Sequence, residues 1–141
     1  MGFSVVTKEF FLDTQGEDHI IDMTDNVRDI VEETGLTEGI VTVFVPGSTA
    51  AITTIEYEPG LQKDIPEALD IIAPKGKDYA HHKTWGDDNG RSHVLSALLG
   101  SSLTVPFSNK KLILGRWQQI VFMELDTRPR RRTVICQVIG E

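Results

Sequence analysis

The chain has 141 residues, 40% of them hydrophobic and 25% charged, with a formal net charge of −7. That is the length of one ordinary domain, enough for a core without disulfides or a structural metal, and the composition excludes intrinsic disorder. The acidic balance also argues against nonspecific nucleic-acid binding by the whole surface, although it leaves room for a local basic patch.

"FSVVTKEFFL" (3–12) is rich in β-branched and aromatic residues and predicts a first strand, and "HIIDM" (19–23) a short second one. "TDNVRDIVEETG" (24–35) predicts a helix capped by Thr24 or Asp25 and closed by Gly35, with Val27, Ile30 and Val31 on its buried face. "GIVTVFVPG" (39–47) and "STAAITTIEY" (48–57) predict two strands, and the short gap between them predicts an antiparallel pair. "LQKDIPEALDIIAP" (61–74) predicts a helix capped by Asp64, with Pro66 in its first turn, an apolar stripe of Ile65, Leu69 and Ile72, and Pro74 as its end.

Residues 75–89 are polar, contain glycine and lack a period, which predicts a long loop of the kind that is often functional. "RSHVLSALLG" (91–100) predicts a short helix closed by Gly100. "SLTVPF", "KLILGRWQQIVFMELD" (111–126) and "RTVICQVIG" predict three more strands. Closely spaced strands with inserted helices predict one α+β domain over 1–141 with mainly antiparallel sheets. The single cysteine, Cys136, excludes an internal disulfide and fits a reducing compartment. No basic start with a following apolar run opens the sequence, and no apolar stretch approaches the ~20 residues of a membrane helix. A cytoplasmic protein without a membrane partner is the expectation.

The chemistry concentrates in "YAHHKTWGDDNGRSH" (79–93), which holds three of the four histidines. Imidazole is the commonest protein ligand for zinc and related metals, but a site needs three or four donors. His81 and His93 therefore need an oxygen from Asp87, Asp88, Asp64 or Glu56. The spacing fits no zinc-finger or HExxH pattern, so a metal site and a solvated loop both remain open.

Ser48 and Thr49, behind Pro46-Gly47, offer hydroxyls and N–H groups to an anion, or form an ordinary hydrogen-bonded turn. In "GRWQQ" Trp117 and Gln118 fall on opposite faces of a strand, Trp117 suited to a core or subunit interface and Gln118 to orienting a substrate. Glu124, in the apolar run "VFMEL", needs a partner from Arg130–Arg132 if buried, and is either a structural ion pair or a catalytic acid. "RPRRR" (128–132) can grip phosphate through bidentate hydrogen bonds or form a solvated turn. Cys136 shares a face with Val134 and Val138 and reads as core, and His19 carries no signal.

"GSTAAITTIEYEPGLQKDI", "YAHHKTWGDDNGRSHVLSALLGSSLTVPF", "LGRWQQIVFMELDTRPRRR" and "VIGE" together resemble the YjbQ-like family, whose members often carry the label secondary thiamine-phosphate synthase. The resemblance covers nearly the whole chain. It implies two packed antiparallel sheets, a homotrimer, and sites near the subunit interfaces. It also implies a pocket for a divalent metal (Zn or Mg) or an anion built around Tyr79, His81, Asp87, Asp88, Asn89 and His93, with Asp64, Gly115, Trp117, Gln118 and Glu124 at further family positions. On this pattern His81 and His93 are the metal residues, and Asp64, Asp88, Gln118 and Glu124 the catalytic candidates. Ser48, Thr49, Asn89 and Arg130 are the substrate or anion contacts. His81 is preferred over His82 for its spacing from Tyr79.

The chain departs from the family at Ser48, where many relatives have histidine, and serine is a poor zinc ligand. The implied substrate is a phosphorylated small molecule. Three functions follow: thiamine-phosphate synthesis, metal-assisted hydrolysis of a phosphate ester, or non-catalytic binding of a metal or anion by a trimer. RNA is disfavoured by the acidic charge.

Overall fold

Alternating exposure along Ser4–Asp13 makes this segment β1 of the computed structural model, which describes residues 2–141. The chain continues through β2 (His19–Asp22), α1 (Thr24–Thr34), β3 (Glu38–Phe44), β4 (Ala50–Ile55), α2 (Pro59–Ile72), α3 (Ala80–Trp85) and α4 (Gly90–Leu99). It ends with β5 (Ser102–Ser108), β6 (Lys111–Leu112), β7 (Gln119–Glu124) and β8 (Arg131–Gly140). One sheet has the order β1-β8-β3-β5-β6 and the other β2-β7-β4, and every strand pair is antiparallel.

The period of two explains the packing. Val41 and Val43 of β3 and Val134, Cys136 and Val138 of β8 turn inward from the five-stranded sheet. They meet Ile52, Ile120 and Phe122 of the smaller sheet, with Val27 and Val31 of α1 closing the cluster. The alternate residues of the smaller sheet, Ala51, Val121 and Met123, form a second cluster with Leu69 and Ala73 of the α2 end and Leu95 of α4. Strand β7 is therefore buried on both faces, as its apolar run suggests. The result is the single α+β domain with two packed antiparallel sheets that the sequence and its resemblance imply.

Several local expectations are corrected. Strands β3 and β4 do not pair. The turn after Val45 carries the chain from the larger sheet to the smaller, because Val43 and Ile52 bury against each other's sheets in one core. Helix α1 is headed by Asp22, whose carboxylate accepts from the Thr24 N–H (2.9 Å) and hydroxyl (2.7 Å), and Gly35 closes it with φ 72°. Helix α2 starts five residues earlier than Asp64, because the Glu58 carboxylate caps the N–H groups of Gly60 and Leu61. Pro66 thus sits inside the helix, and the buried stripe runs through Leu69 to Ala73 while Ile72 is exposed.

The loop 75–89 contains a helix of its own, α3. The segment 111–126 is two strands separated by a connection, so Trp117 and Gln118 do not oppose each other across a strand. Trp117 is 62% exposed there. Cys136 is buried core, as read, and burial pushes its thiol up to about 12.

Candidate functional site

α3 and α4 meet beside the ends of β4 and β7, and three neighbouring side chains fix the junction. Gly90 opens α4 against Tyr79, and a Cβ on it would lie 2.5 Å from the Tyr79 Cβ, so only glycine fits. The freed Gly90 N–H donates to His82 Nε2 at 3.0 Å. His82 therefore does the work of a helix cap, and its ring packs edge-on against Tyr79. Asn89, at the N-cap position, makes no cap bond because its amide is used elsewhere.

Asn89 Oδ1 lies 3.2 Å from His81 Nε2, and its Nδ2 donates to Asp126 Oδ1 at 3.4 Å. With Nδ2 facing a carboxylate, Oδ1 must accept, so His81 carries its proton on Nε2 and leaves Nδ1 as the free nitrogen when neutral. Asp87 Oδ1 sits 3.2 Å from the same Nε2 without an aligned hydrogen bond, and it is buried with no other partner. Its charge lies on the Nε2 side of the ring and favours a proton at that nitrogen. The His81 and His93 rings are in contact, their centroids 4.4 Å apart and their planes tilted by 54°. His93 also borders an open cavity of ≈ 450 Å³ shared with Gly47, Ser48 and Ser96.

Behind the histidines stands a buried polar network. Asp126 is 2% exposed and accepts from the Thr127 N–H (2.8 Å), Thr49 Oγ1 (3.2 Å) and Arg130 Nη1 (2.6 Å) as well as Asn89. Burial pushes its carboxyl up, but these donors and the Arg130 charge together outweigh it and hold the group below its ordinary range. Thr49 passes the network on, because Arg132 Nη2 donates to its hydroxyl (2.8 Å) and carbonyl (3.2 Å).

Arg132 also grips Glu124 through Nε (2.9 Å) and Nη2 (2.5 Å). Glu124 is fully buried and receives two further bonds, from Thr14 Oγ1 and the Asp126 N–H. Of the two readings its position allowed, the structural ion pair is the one this geometry forms.

The structure thus brings together His81, His93, Asn89, Thr49 and Arg130, with Ser48 at the cavity rim and Asp88 at the edge accepting from the Thr127 hydroxyl at 3.2 Å. Two candidates stand apart. Asp64 is exposed on α2 and bonds to none of these groups. Gln118 folds onto the Gly115 N–H and the Thr54 hydroxyl in another part of the chain.

Sequence reasoning missed Asp126, although "ELD" places a second acid two residues beyond Glu124, on the same face. It also missed Arg91, 4% exposed, whose guanidinium binds the Ala73 carbonyl (2.8 Å) and Glu17 (2.9 Å) and ties α4 to its neighbours.

Among the described residues no three His, Cys, Asp or Glu side chains come together in a metal-holding group. His81 Nε2 is committed to Asn89, so one chain offers two nitrogens at most. That donor set does not complete a zinc site. It does suit an anion, with imidazole N–H groups and the Arg130 guanidinium as donors.

A single domain of two packed antiparallel sheets in this arrangement is the fold of YjbQ-like proteins. The family model described as "UPF0047 protein YjbQ-like" matches residues 8–141, and the chain belongs to that family. A UPF0047 protein of Archaeoglobus fulgidus is 40% identical over 131 residues, covering 93% of this chain and 99% of that protein. The UPF0047 protein YugU of Bacillus subtilis is 34% identical over 134 residues, covering 94% and 98%. A YbjQ-like protein of unknown function from Sulfolobus solfataricus superposes with a TM-score of 0.92 at 32% identity, covering 99% of this chain and 100% of that one. A YjbQ/UPF0047 protein from Clostridium acetobutylicum does so at 0.83 and 38%, covering 93% and 98%. No helix among the described residues is long and apolar enough to cross a membrane.

Proposed function

We propose that the chain is a small-molecule enzyme acting on a phosphorylated substrate, with His81, His93 and Arg130 contacting the phosphoryl group. The observation that carries this is the pairing of two imidazoles 4.4 Å apart beside the Asn89–Asp126–Arg130 network. The network fixes the His81 tautomer, so its donor and acceptor are preset. Preset donors stabilise charge that develops on a leaving phosphate without reorganising.

Thiamine-phosphate synthesis, suggested by the family resemblance, fits this chemistry. The thiazole nitrogen of the thiazole phosphate attacks the pyrimidine methylene carbon, the carbon–oxygen bond to pyrophosphate breaks, and the donors take up the charge on the departing diphosphate. Ser48 at the rim, in place of an imidazole, favours direct anion contact over metal ligation in this chain. Asp64 and Gln118 enter the reaction only if a neighbouring subunit brings them to the pocket.

Assembly as a homotrimer in the cytoplasm belongs to the same reading. Its support is the outer face of the five-stranded sheet, where Val5, Ile139 and Ile40 are cross-strand neighbours and remain 37–62% exposed. Light scattering on such an assembly gives three times the 15.7 kDa chain mass.

The test is turnover of the pyrimidine diphosphate with the thiazole phosphate, beside a panel of phosphate esters assayed for released phosphate, with and without divalent metal. His81→Ala and His93→Ala are expected to lower the active reaction by about 100-fold or more, the scale of a lost proton-transfer or charge-stabilising group. Activity on the esters alone makes the enzyme a hydrolase. Stoichiometric metal in the wild type that is lost in His93→Ala replaces anion contact by ligation. No turnover under any condition refutes the proposal and leaves a binding protein.

A further inference from the structure

On the opposite side of the core from the α2–α4 layer, the β5–β6 turn, the 113–118 connection and α1 enclose a cavity of ≈ 360 Å³. Arg28, Lys110, Lys111 and Arg116 line it, against one carboxylate, Glu32. In a chain of net charge −7 this is a concentration of the minority charge. Arg28 pairs with Asp25, but Lys110, Lys111 and Arg116 enter no ion pair among the described residues. Arg116 lies over the Trp117 ring, 4.8 Å from its centroid.

The backbone adds an independent sign. Ser108 and Lys111 are paired across a two-residue turn, in which Asn109 has φ 52° and Lys110 φ 66°. Two successive left-handed residues make a tight hairpin, and glycine is the usual second residue. Lysine resists that conformation, yet here it is held, with its N–H bonded to the Thr37 carbonyl at 3.0 Å. The turn places Lys110 and Lys111, adjacent in the chain, both in the cavity wall. Concave walls keep the like charges from spreading apart, so an anion inside is attracted by all of them.

We infer that this cavity binds a small molecule bearing a diphosphate or a comparably charged phosphate group. Four cations around one carboxylate match at least two negative charges, and a cleft of ≈ 360 Å³ suits a small molecule. The inference does not rest on the histidine pocket, which lies in a different cavity lined by different residues.

The experiment titrates the full chain with inorganic pyrophosphate and reads Trp117 fluorescence in a Trp85→Phe background, where Trp117 is the single tryptophan. Calorimetry on the unmodified chain runs in parallel. Saturable binding is expected, weakened by rising salt. Lys110→Gly, which relieves the backbone while removing the charge, and Lys111→Gln are each expected to weaken it about tenfold, the scale of one charged hydrogen bond. His93→Ala is expected to leave the Trp117 signal and its midpoint unchanged.

No binding at millimolar pyrophosphate overturns the inference. So does binding that His93→Ala abolishes and the two lysine variants leave intact, even if the histidine pocket then proves to be the active one. Lys110→Gly retains the melting temperature, which separates a lost site from a lost fold.

Discussion

Replacing Arg132 by methionine isolates the buried pair that supports the site. Arg132 is 5% exposed and Glu124 is fully buried, and four hydrogen bonds leave with the guanidinium head: two to Glu124 and one each to the Thr49 hydroxyl and carbonyl. Glu124 then keeps only the Thr14 hydroxyl and the Asp126 N–H as donors. Breaking one partner from a buried pair costs about 3–5 kcal/mol, mostly because the remaining charge stays buried. At ~2.1 cal/mol/K per residue, a chain of 141 residues has an unfolding entropy of about 0.3 kcal/mol/K, so the loss corresponds to a fall in Tm of about 10–17 °C.

The assay is urea unfolding at one fixed protein concentration, which keeps any assembly constant between variants. Glu124→Leu combined with Arg132→Met is expected to cost less than Arg132→Met alone, since no charge is stranded. A loss below about 1 kcal/mol for Arg132→Met, or a double variant at least as unstable as the sum of the singles, would show that the pair does not support the fold in this way.

Asp126 gives a pH signature. Its carboxyl is held below the ordinary value of 3.8 by its hydrogen-bond donors and Arg130, against the opposing effect of burial. Its stabilisation is therefore fully present above the unfolded value and is lost as pH falls through the lower folded one. Acid unfolding of Asp126→Asn is expected to have a shallower pH dependence below 3.8 than wild type, and parallel curves would remove Asp126 as a contributor. Cys136, with its thiol pushed up to about 12 and its side chain in the core, is expected to react with a thiol reagent at pH 8 only when the chain is unfolded. Labelling of the native protein at the rate of a free thiol would contradict that placement.

The sequence made the layers legible wherever one periodicity ran undisturbed. Val27, Ile30 and Val31 on α1 and the alternating valines of β8 declared their buried faces. It misled where a local signal competed with tertiary packing. Pro46-Gly47 reads as a hairpin turn, but two strands that both need burial on the facing sides of one core must enter different sheets.

Asp64 reads as a cap because it precedes Ile65 and Pro66, whereas the cap that forms is the extended Glu58 six residues earlier, with Pro59 opening the helix. At the site, histidine spacing pointed to the region. The bonds that give the two adjacent histidines different work, one to Gly90 N–H and one to Asn89, depend on backbone direction, which composition does not encode. Asp126 joins residues 37 and 77 positions away, and only the folded chain shows that convergence.

The His82–Gly90 bond has a mechanical consequence. It clamps the end of α3 to the start of α4 across eight residues, while His81 and His93 ride on the two clamped helices. The segment from Tyr79 to His93 is thereby a cassette whose internal spacing is set by its own short-range contacts. A shift of the cassette against the sheets carries both imidazoles together and alters their aim toward Arg130, and their mutual distance stays the same.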